Sequence, residues 1–263
     1  MRFRVTLAVA ALGVATWAPS ADPRPSGQII SEVDVGKGAG EASLYLPERA
    51  PPCAVVFLHG AGDLTPNRYQ AWLTYLAIGK HCAVIFPRYQ PAAKTSPVSA
   101  PSLRGLRAGI ATSFAYLRTA RFGLYRDPIP KRLPVIVAGF ADGGMLAIYY
   151  AANAKRWGLP VPIAVDSIFP VAGPIAGPPL APLAPRTRVL IQVGDKDQPG
   201  AQASEAYLRR YLASHPASRK RFQLVRSTGA LNAVHTAPLQ TTATATKVFW
   251  DPLDAFIDDA TGG

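Results

Sequence analysis

Apolar residues along this chain fall into two kinds of run. Residues 53–58 (CAVVFL), 82–86 (CAVIF), 135–138 (VIVA) and 189–193 (VLIQV) are short, nearly continuous and rich in β-branched side chains. That pattern predicts strands buried on both faces of a sheet. Between them, residues 69–79, 103–119, 143–155, 204–212 and 248–259 space their apolar positions as helices do. In 103–119 the stripe is Leu106, Ile110, Phe114 and Leu117. Residues 143–155 are apolar nearly all round, which predicts a deeply buried helix. Strands are also expected at 28–35 and 41–46, joined by a glycine-rich turn at 36–40, at 163–171, where Asp166 interrupts the apolar run, and at 222–226. The Pro-rich stretches 88–101 and 170–185 read as loops. Strands alternating with helices predict an α/β domain over residues 28–260. Its central sheet should be mostly parallel, with about eight strands and helices on both faces.

Composition narrows the setting. Hydrophobic residues at 49% and charged residues at 17% over 263 positions fit one globular domain with a large core. Arg2 and Arg4, an apolar stretch over 5–17 and small residues at 18–20 predict a signal peptide spanning residues 1–20. That apolar stretch is too short to cross a bilayer, and export to the periplasm or the extracellular space is expected. The two cysteines, Cys53 and Cys82, each open a buried strand. If those strands are parallel neighbours, their starts lie within disulfide reach, as an oxidising compartment allows. Two cysteines without ligand spacing give no reason to expect a metal. The formal charge of +12 is scattered rather than clustered, which argues against nucleic-acid binding and leaves a weak attraction to anionic envelope surfaces.

Candidate chemistry starts at Gly139-Phe140-Ala141-Asp142-Gly143-Gly144, between the strand at 135–138 and the buried helix. A sharp strand-to-helix turn crowds neighbouring backbones, and glycines two before and two after its centre relieve the crowding. The spacing of Gly139 and Gly143 is that of a nucleophile elbow, G-x-S-x-G, with Ala141 in the serine's place. Moving the register to make Asp142 the nucleophile puts Phe140 where the first glycine is needed. Read alone, this segment is an ordinary glycine-rich turn. Three others give it meaning. His59-Gly60-Ala61-Gly62 follows an earlier strand, where an oxyanion loop would sit; the donors would be the backbone N–H groups of Ala61 and Asp142. Gly194-Asp195-Lys196-Asp197 follows another strand, and an acid there can orient an imidazole; Asp197 fits the spacing better than Asp195. His235 follows the last strand and is the histidine placed to act as a general base, whereas His81 lies in a turn and His215 in a basic, polar stretch. No other serine sits on an elbow: Ser113 is expected mid-helix, Ser167 in a strand, and Ser96, Ser99 and Ser102 in a loop.

The stretches CAVVFLHGAGDLTPNRYQAWLTYLAIGKHCAVIFPRYQ, GFADGGMLAIYYAA, RVLIQVGDKDQPG and AVHTAP resemble bacterial secreted α/β hydrolases over roughly residues 50–240. The likeness is to the serine esterase and lipase, chlorophyllase and dienelactone-hydrolase branches. It implies the α/β-hydrolase fold and carboxylic-ester hydrolysis, with Asp197 as acid, His235 as base, Ala61 and Asp142 as oxyanion donors, and no cofactor. The departure is Ala141, because a methyl group cannot attack a carbonyl. Two expectations follow: an ester-hydrolase lineage inactive or nearly so as written, or a non-catalytic protein that binds an apolar acyl or ester ligand in the same pocket. The pocket walls are expected from Phe140 and loops 88–101 and 172–185.

Overall fold

The computed structural model describes residues 30–120, 133–171, 180–197 and 200–262. The expected signal peptide, residues 1–20, and residues 172–179 of one expected pocket loop lie outside them. The strands are β1 (Ile30–Val35), β2 (Ala42–Pro47), β3 (Ala54–Leu58), β4 (Ala83–Pro87), β5 (Val135–Phe140), β6 (Ala164–Ile168), β7 (Arg188–Gly194) and β8 (Lys220–Val225). The α-helices are α1 (Gln70–Ile78), α2 (Ala100–Thr119), α3 (Asp142–Trp157), α4 (Gly200–Tyr211), α5 (Ala243–Phe249) and α6 (Asp251–Thr261). The strands form one sheet in the order β1-β2-β4-β3-β5-β6-β7-β8. Only the β1–β2 and β2–β4 pairings are antiparallel; β4, β3 and β5 through β8 run parallel. This is the mostly parallel eight-stranded sheet that the run pattern predicts.

Side chains alternate across the strands and divide the core into two layers. In β3, Ala54, Val56 and Leu58 face the layer packed with α2, α3 and α4, while Val55 and Phe57 face the layer packed with α1, α5 and α6. In β5, Val135 and Val137 face the first layer and Ile136, Ala138 and Phe140 the second. Every residue of α3 from Gly143 to Ala154 is buried, as its all-round apolar pattern requires.

Three boundaries differ from the sequence reading. The helix expected from residue 103 starts at Ala100, because Ser99 caps it by accepting the Ser102 N–H, and Pro101 suits the first turn. Ser102 is therefore helical, not in a loop. The strand expected to reach 171 ends at Ile168, before Phe169 at φ 47°. The single C-terminal helix is two, α5 and α6, meeting at Trp250. Pro252 has no N–H with which to continue the α5 ladder, and the Trp250 ring stacks on Trp72 at 5.4 Å, fixing the bend.

Cys53 and Cys82 form a disulfide at the adjacent, parallel starts of β3 and β4, with Cα atoms 4.9 Å apart. The bridge closes a loop of 29-residue separation. Replacing both cysteines by alanine is expected to lower stability by roughly 3–4 kcal/mol, from the unfolded-chain entropy such a loop forfeits. Urea unfolding of the double variant against the oxidised parent measures it.

Asp166 sits inside β6, fully buried, its carboxylate oxygens 3.1 and 3.4 Å from Gln192 Nε2 on β7. Burial pushes its carboxyl up to about 7, against the smaller pull of the Gln192 hydrogen bond. A carboxyl that holds its proton more tightly folded than unfolded gives its full stabilisation below about pH 4. That contribution falls as pH climbs through about 7. Asp166→Asn should flatten this decline. Between pH 4.5 and 8 the parent is expected to lose a few kcal/mol more than the variant, read from urea midpoints at both pH values.

Candidate active site

Parallel strands bring their carboxyl ends to one edge of the sheet, where ligands bind in open α/β sheets. The segments singled out in the sequence leave from that edge: residues 59–62 after β3, 141–144 after β5, 195–197 after β7, and, farther along, the His235 loop after β8.

The turn from β5 into α3 is set by contact between backbones. A Cβ on Gly139 would lie 2.1 Å from the Gly143 carbonyl oxygen, and one on Gly143 would lie 2.1 Å from that of Leu58. Only glycine fits either place, so the turn carries its strain on the residue between. Ala141 has φ 56° and ψ −122°, a region alanine rarely adopts. Asp142 is the first residue of α3, so the apex of the turn is Ala141 and not Asp142. Backbone bonds hold the apex: Ala141 N–H donates to Ile168 O at 3.0 Å, and Ala141 O accepts from Gly144 at 2.9 Å and Val171 at 3.2 Å. Tyr89 and Phe169, at φ 38° and 47°, stand just past the carboxyl ends of β4 and β6, so backbone strain gathers around this edge.

The loop after β3 is braced from several sides. His59 is buried, with Nδ1 2.7 Å from Gly60 O and Nε2 2.8 Å from Arg88 O, and it stacks on Tyr89 at 4.1 Å. Burial holds its imidazole below the ordinary range, so His59 is a neutral framework residue. Tyr89 returns a hydrogen bond to His59 O at 2.7 Å. Gly60 N–H donates to Tyr69 Oη and Gly62 N–H to Gln90 Oε1, each at 2.9 Å. Tyr69 in turn donates to Asp63, which pairs with Arg68. Between those two glycines, the Ala61 N–H is bonded to the Asp142 carboxyl. A Cβ placed on Gly60 would be 3.4 Å from Ala141 Cβ, so the loop lies directly against the apex.

Asp197 and His235 meet. His235 Nδ1 lies 2.7 Å from Asp197 Oδ1; the acid side chain is 1% exposed and the imidazole 24%. Asp195, the other acid of the loop, does different work. It accepts from Ser227 N–H at 2.9 Å and from Ser227 Oγ at 2.6 Å, and Ser227 Oγ accepts from Ala233 N–H. With a bridge between Lys196 and Val234, this clasp fixes the histidine loop on the acid loop. Gly194 permits the approach, since a Cβ there would sit 2.2 Å from Ala233 O. His235 also packs near the rings of Phe140 at 5.1 Å and Phe169 at 6.4 Å. His215 is elsewhere, buried with Nε2 2.8 Å from Thr187 O.

Sequence reasoning missed Tyr69, Tyr89, Gln90 and Ser227, the residues that brace the two loops. Gln90 stands two residues past a strand that was legible, but nothing in the order of residues shows which backbone groups its amide will meet.

A strained apex should relax if its Cβ is removed. Ala141→Gly is expected to raise stability by about 1 kcal/mol, or about 2–4 °C in Tm. A thermal melt that moves down instead would show that the turn imposes little strain.

No protein-family model and no curated protein matches the chain. Solved structures do. An esterase/lipase from an uncultured bacterium is similar with TM-score 0.64 at 15% identity, over 94% of this chain and 88% of that one. Carboxyl esterase 2 from the mycorrhizal fungus Tuber melanosporum gives 0.64 at 17% identity, over 92% and 89%. An α/β-hydrolase enzyme from a Medee basin deep-sea metagenome library gives 0.63 at 18%, over 90% and 99%. With its strand order, helix layers and tight β5–α3 turn, the chain has the α/β-hydrolase fold.

Proposed function

We propose that this chain descends from a serine carboxylic-ester hydrolase and that, as written, it does not turn esters over by the acyl-enzyme route, because Ala141 occupies the nucleophile's position. The observation that carries the reading is the Asp197–His235 hydrogen bond of 2.7 Å. An acid that takes Nδ1 leaves Nε2 as the proton acceptor, which is the arrangement a hydroxyl nucleophile needs. A protein that only binds a ligand has no use for that pair, so its retention supports the hydrolase lineage over a binding role. Deleting the serine of such a site costs on the order of 10⁶ in kcat, leaving about 10³–10⁴ over water.

In this reading the missing part is one hydroxyl. In Ala141→Ser, Oγ attacks the ester carbonyl while His235 Nε2 takes its proton. That proton passes to the departing alcohol, and a water repeats the sequence to release the acid. Phe140 and Phe169 flank His235, which favours an apolar acyl group or aromatic ester. The Cys53–Cys82 disulfide supports export to the periplasm or the extracellular space.

The test compares the chain as written with Ala141→Ser on short- and medium-chain p-nitrophenyl esters. The serine variant is expected to gain at least ~10³-fold in kcat/KM. Adding His235→Ala should remove that gain. Activity already high in the unmodified chain and abolished by His235→Ala would instead assign direct attack by a His-activated water. Two inactive proteins would return the pocket to a binding role.

A further inference from the structure

The three successive N–H groups of the loop after β3 all have acceptors inside the chain. Gly60 N–H is taken by Tyr69 and Gly62 N–H by Gln90. The third, Ala61 N–H, is taken by the Asp142 carboxyl, which also accepts its own backbone N–H. Those two N–H groups are the pair that the elbow geometry aims at the oxygen of an incoming carbonyl. Asp142 opens α3, where the helix dipole favours a negative charge, and it lies in the field of His235. An oxyanion hole works by leaving its donors free for the reacting oxygen. Here a side chain of the same protein already holds them.

We propose that Asp142 is a built-in plug and specificity-determining residue: its carboxylate fills the oxyanion hole formed by the Ala61 and Asp142 N–H groups and excludes carboxylates and other oxyanion ligands from it. The inference rests on the site assignment above but not on the missing serine, since the plug sits on α3 whatever residue stands at 141. A ligand carbonyl must displace the carboxylate to reach the donors. Burial raises the Asp142 carboxyl above the ordinary range, while the two N–H bonds and His235 pull it down, so the plug is ionised and held at alkaline pH.

The probe is butanesulfonate, a permanent anion with a short apolar tail, titrated at pH 8 into the unmodified chain, Asp142→Ala and Asp142→Asn, with ¹⁵N–¹H spectra following the Ala61 amide. Asp142→Ala should bind it at least ~10-fold more tightly than the unmodified chain, as expected when an ionised acceptor is cleared from two donors. Asp142→Asn keeps an amide oxygen over the same donors and should gain no more than ~3-fold, because the hole stays filled. The Ala61 amide proton should shift upfield when the carboxyl is cleared and return when sulfonate enters. Equal gains in the Ala and Asn variants would mean that charge alone repels the anion, and the plug would be overturned. Unchanged affinity in Asp142→Ala would overturn it as well. Asp142→Ser serves in its place should the alanine variant not fold. Ester turnover in Ala141→Ser is a separate reading. If that variant stays inactive while the sulfonate result holds, the hydrolase lineage fails and the plug stands.

Discussion

Two places without room for a methyl group govern this structure. Gly139 faces the Gly143 carbonyl, and Gly143 faces the Leu58 carbonyl, each at a distance that a Cβ could not survive. Because β3, β5 and α3 touch through bare backbone there, the chain must reverse from strand to helix in one residue. That residue takes the strain, and it is Ala141. The same contact buries α3 along most of its length and presses the loop after β3 against the apex. It also places the first N–H groups of α3 and of that loop beside one another. A larger residue at either glycine would push α3 off the sheet and dissolve the site with it.

The fold was legible because its strands are buried on both faces and its helices are not. Continuous apolar runs at β3, β4, β5 and β7 and the single stripe on α2 leave little choice of layers, and both cysteines stood at strand starts that proved adjacent. The elements misjudged were decided by local chemistry that overrides periodicity. Ser99 and Pro101 start α2 early, and Trp250 with Pro252 splits the last helix. Asp166 broke the apolar pattern of its strand, yet burial with Gln192 as partner keeps it inside the sheet, close to neutral. The period-2 pattern marks a face. It cannot report whether a buried acid carries its proton.

The site was legible only in outline. Strand ends followed by short motifs placed Ala61, Ala141, Asp197 and His235 on one edge of the sheet. Spacing preferred Asp197 over Asp195, and the structure gives each acid its own partner: Asp197 meets His235, while Asp195 ties Ser227 and through it the histidine loop. What sequence could not show is how backbone N–H groups are shared out. Tyr69 and Gln90 come from different elements to claim two of them, and the Asp142 side chain claims a third. Such pairings depend on which loops the fold brings together, and no periodicity encodes them.

The geometry around the apex does not lean on the side chain at 141. Ala141 is held by its own backbone, through Ile168, Gly144 and Val171. The loop after β3 is held by His59, Tyr69, Tyr89 and Gln90. The acid and the histidine are held by the Ser227 clasp and by the bridge from Lys196 to Val234. Each of these supports is independent of a nucleophile's oxygen. An alanine at the apex is therefore compatible with an otherwise complete acid–base frame, because the strain at φ 56° is imposed by the neighbouring glycines and backbone bonds rather than by the reaction. That separation of scaffold from chemistry is why a hydroxyl at a single position is enough to ask whether the rest of the machinery works.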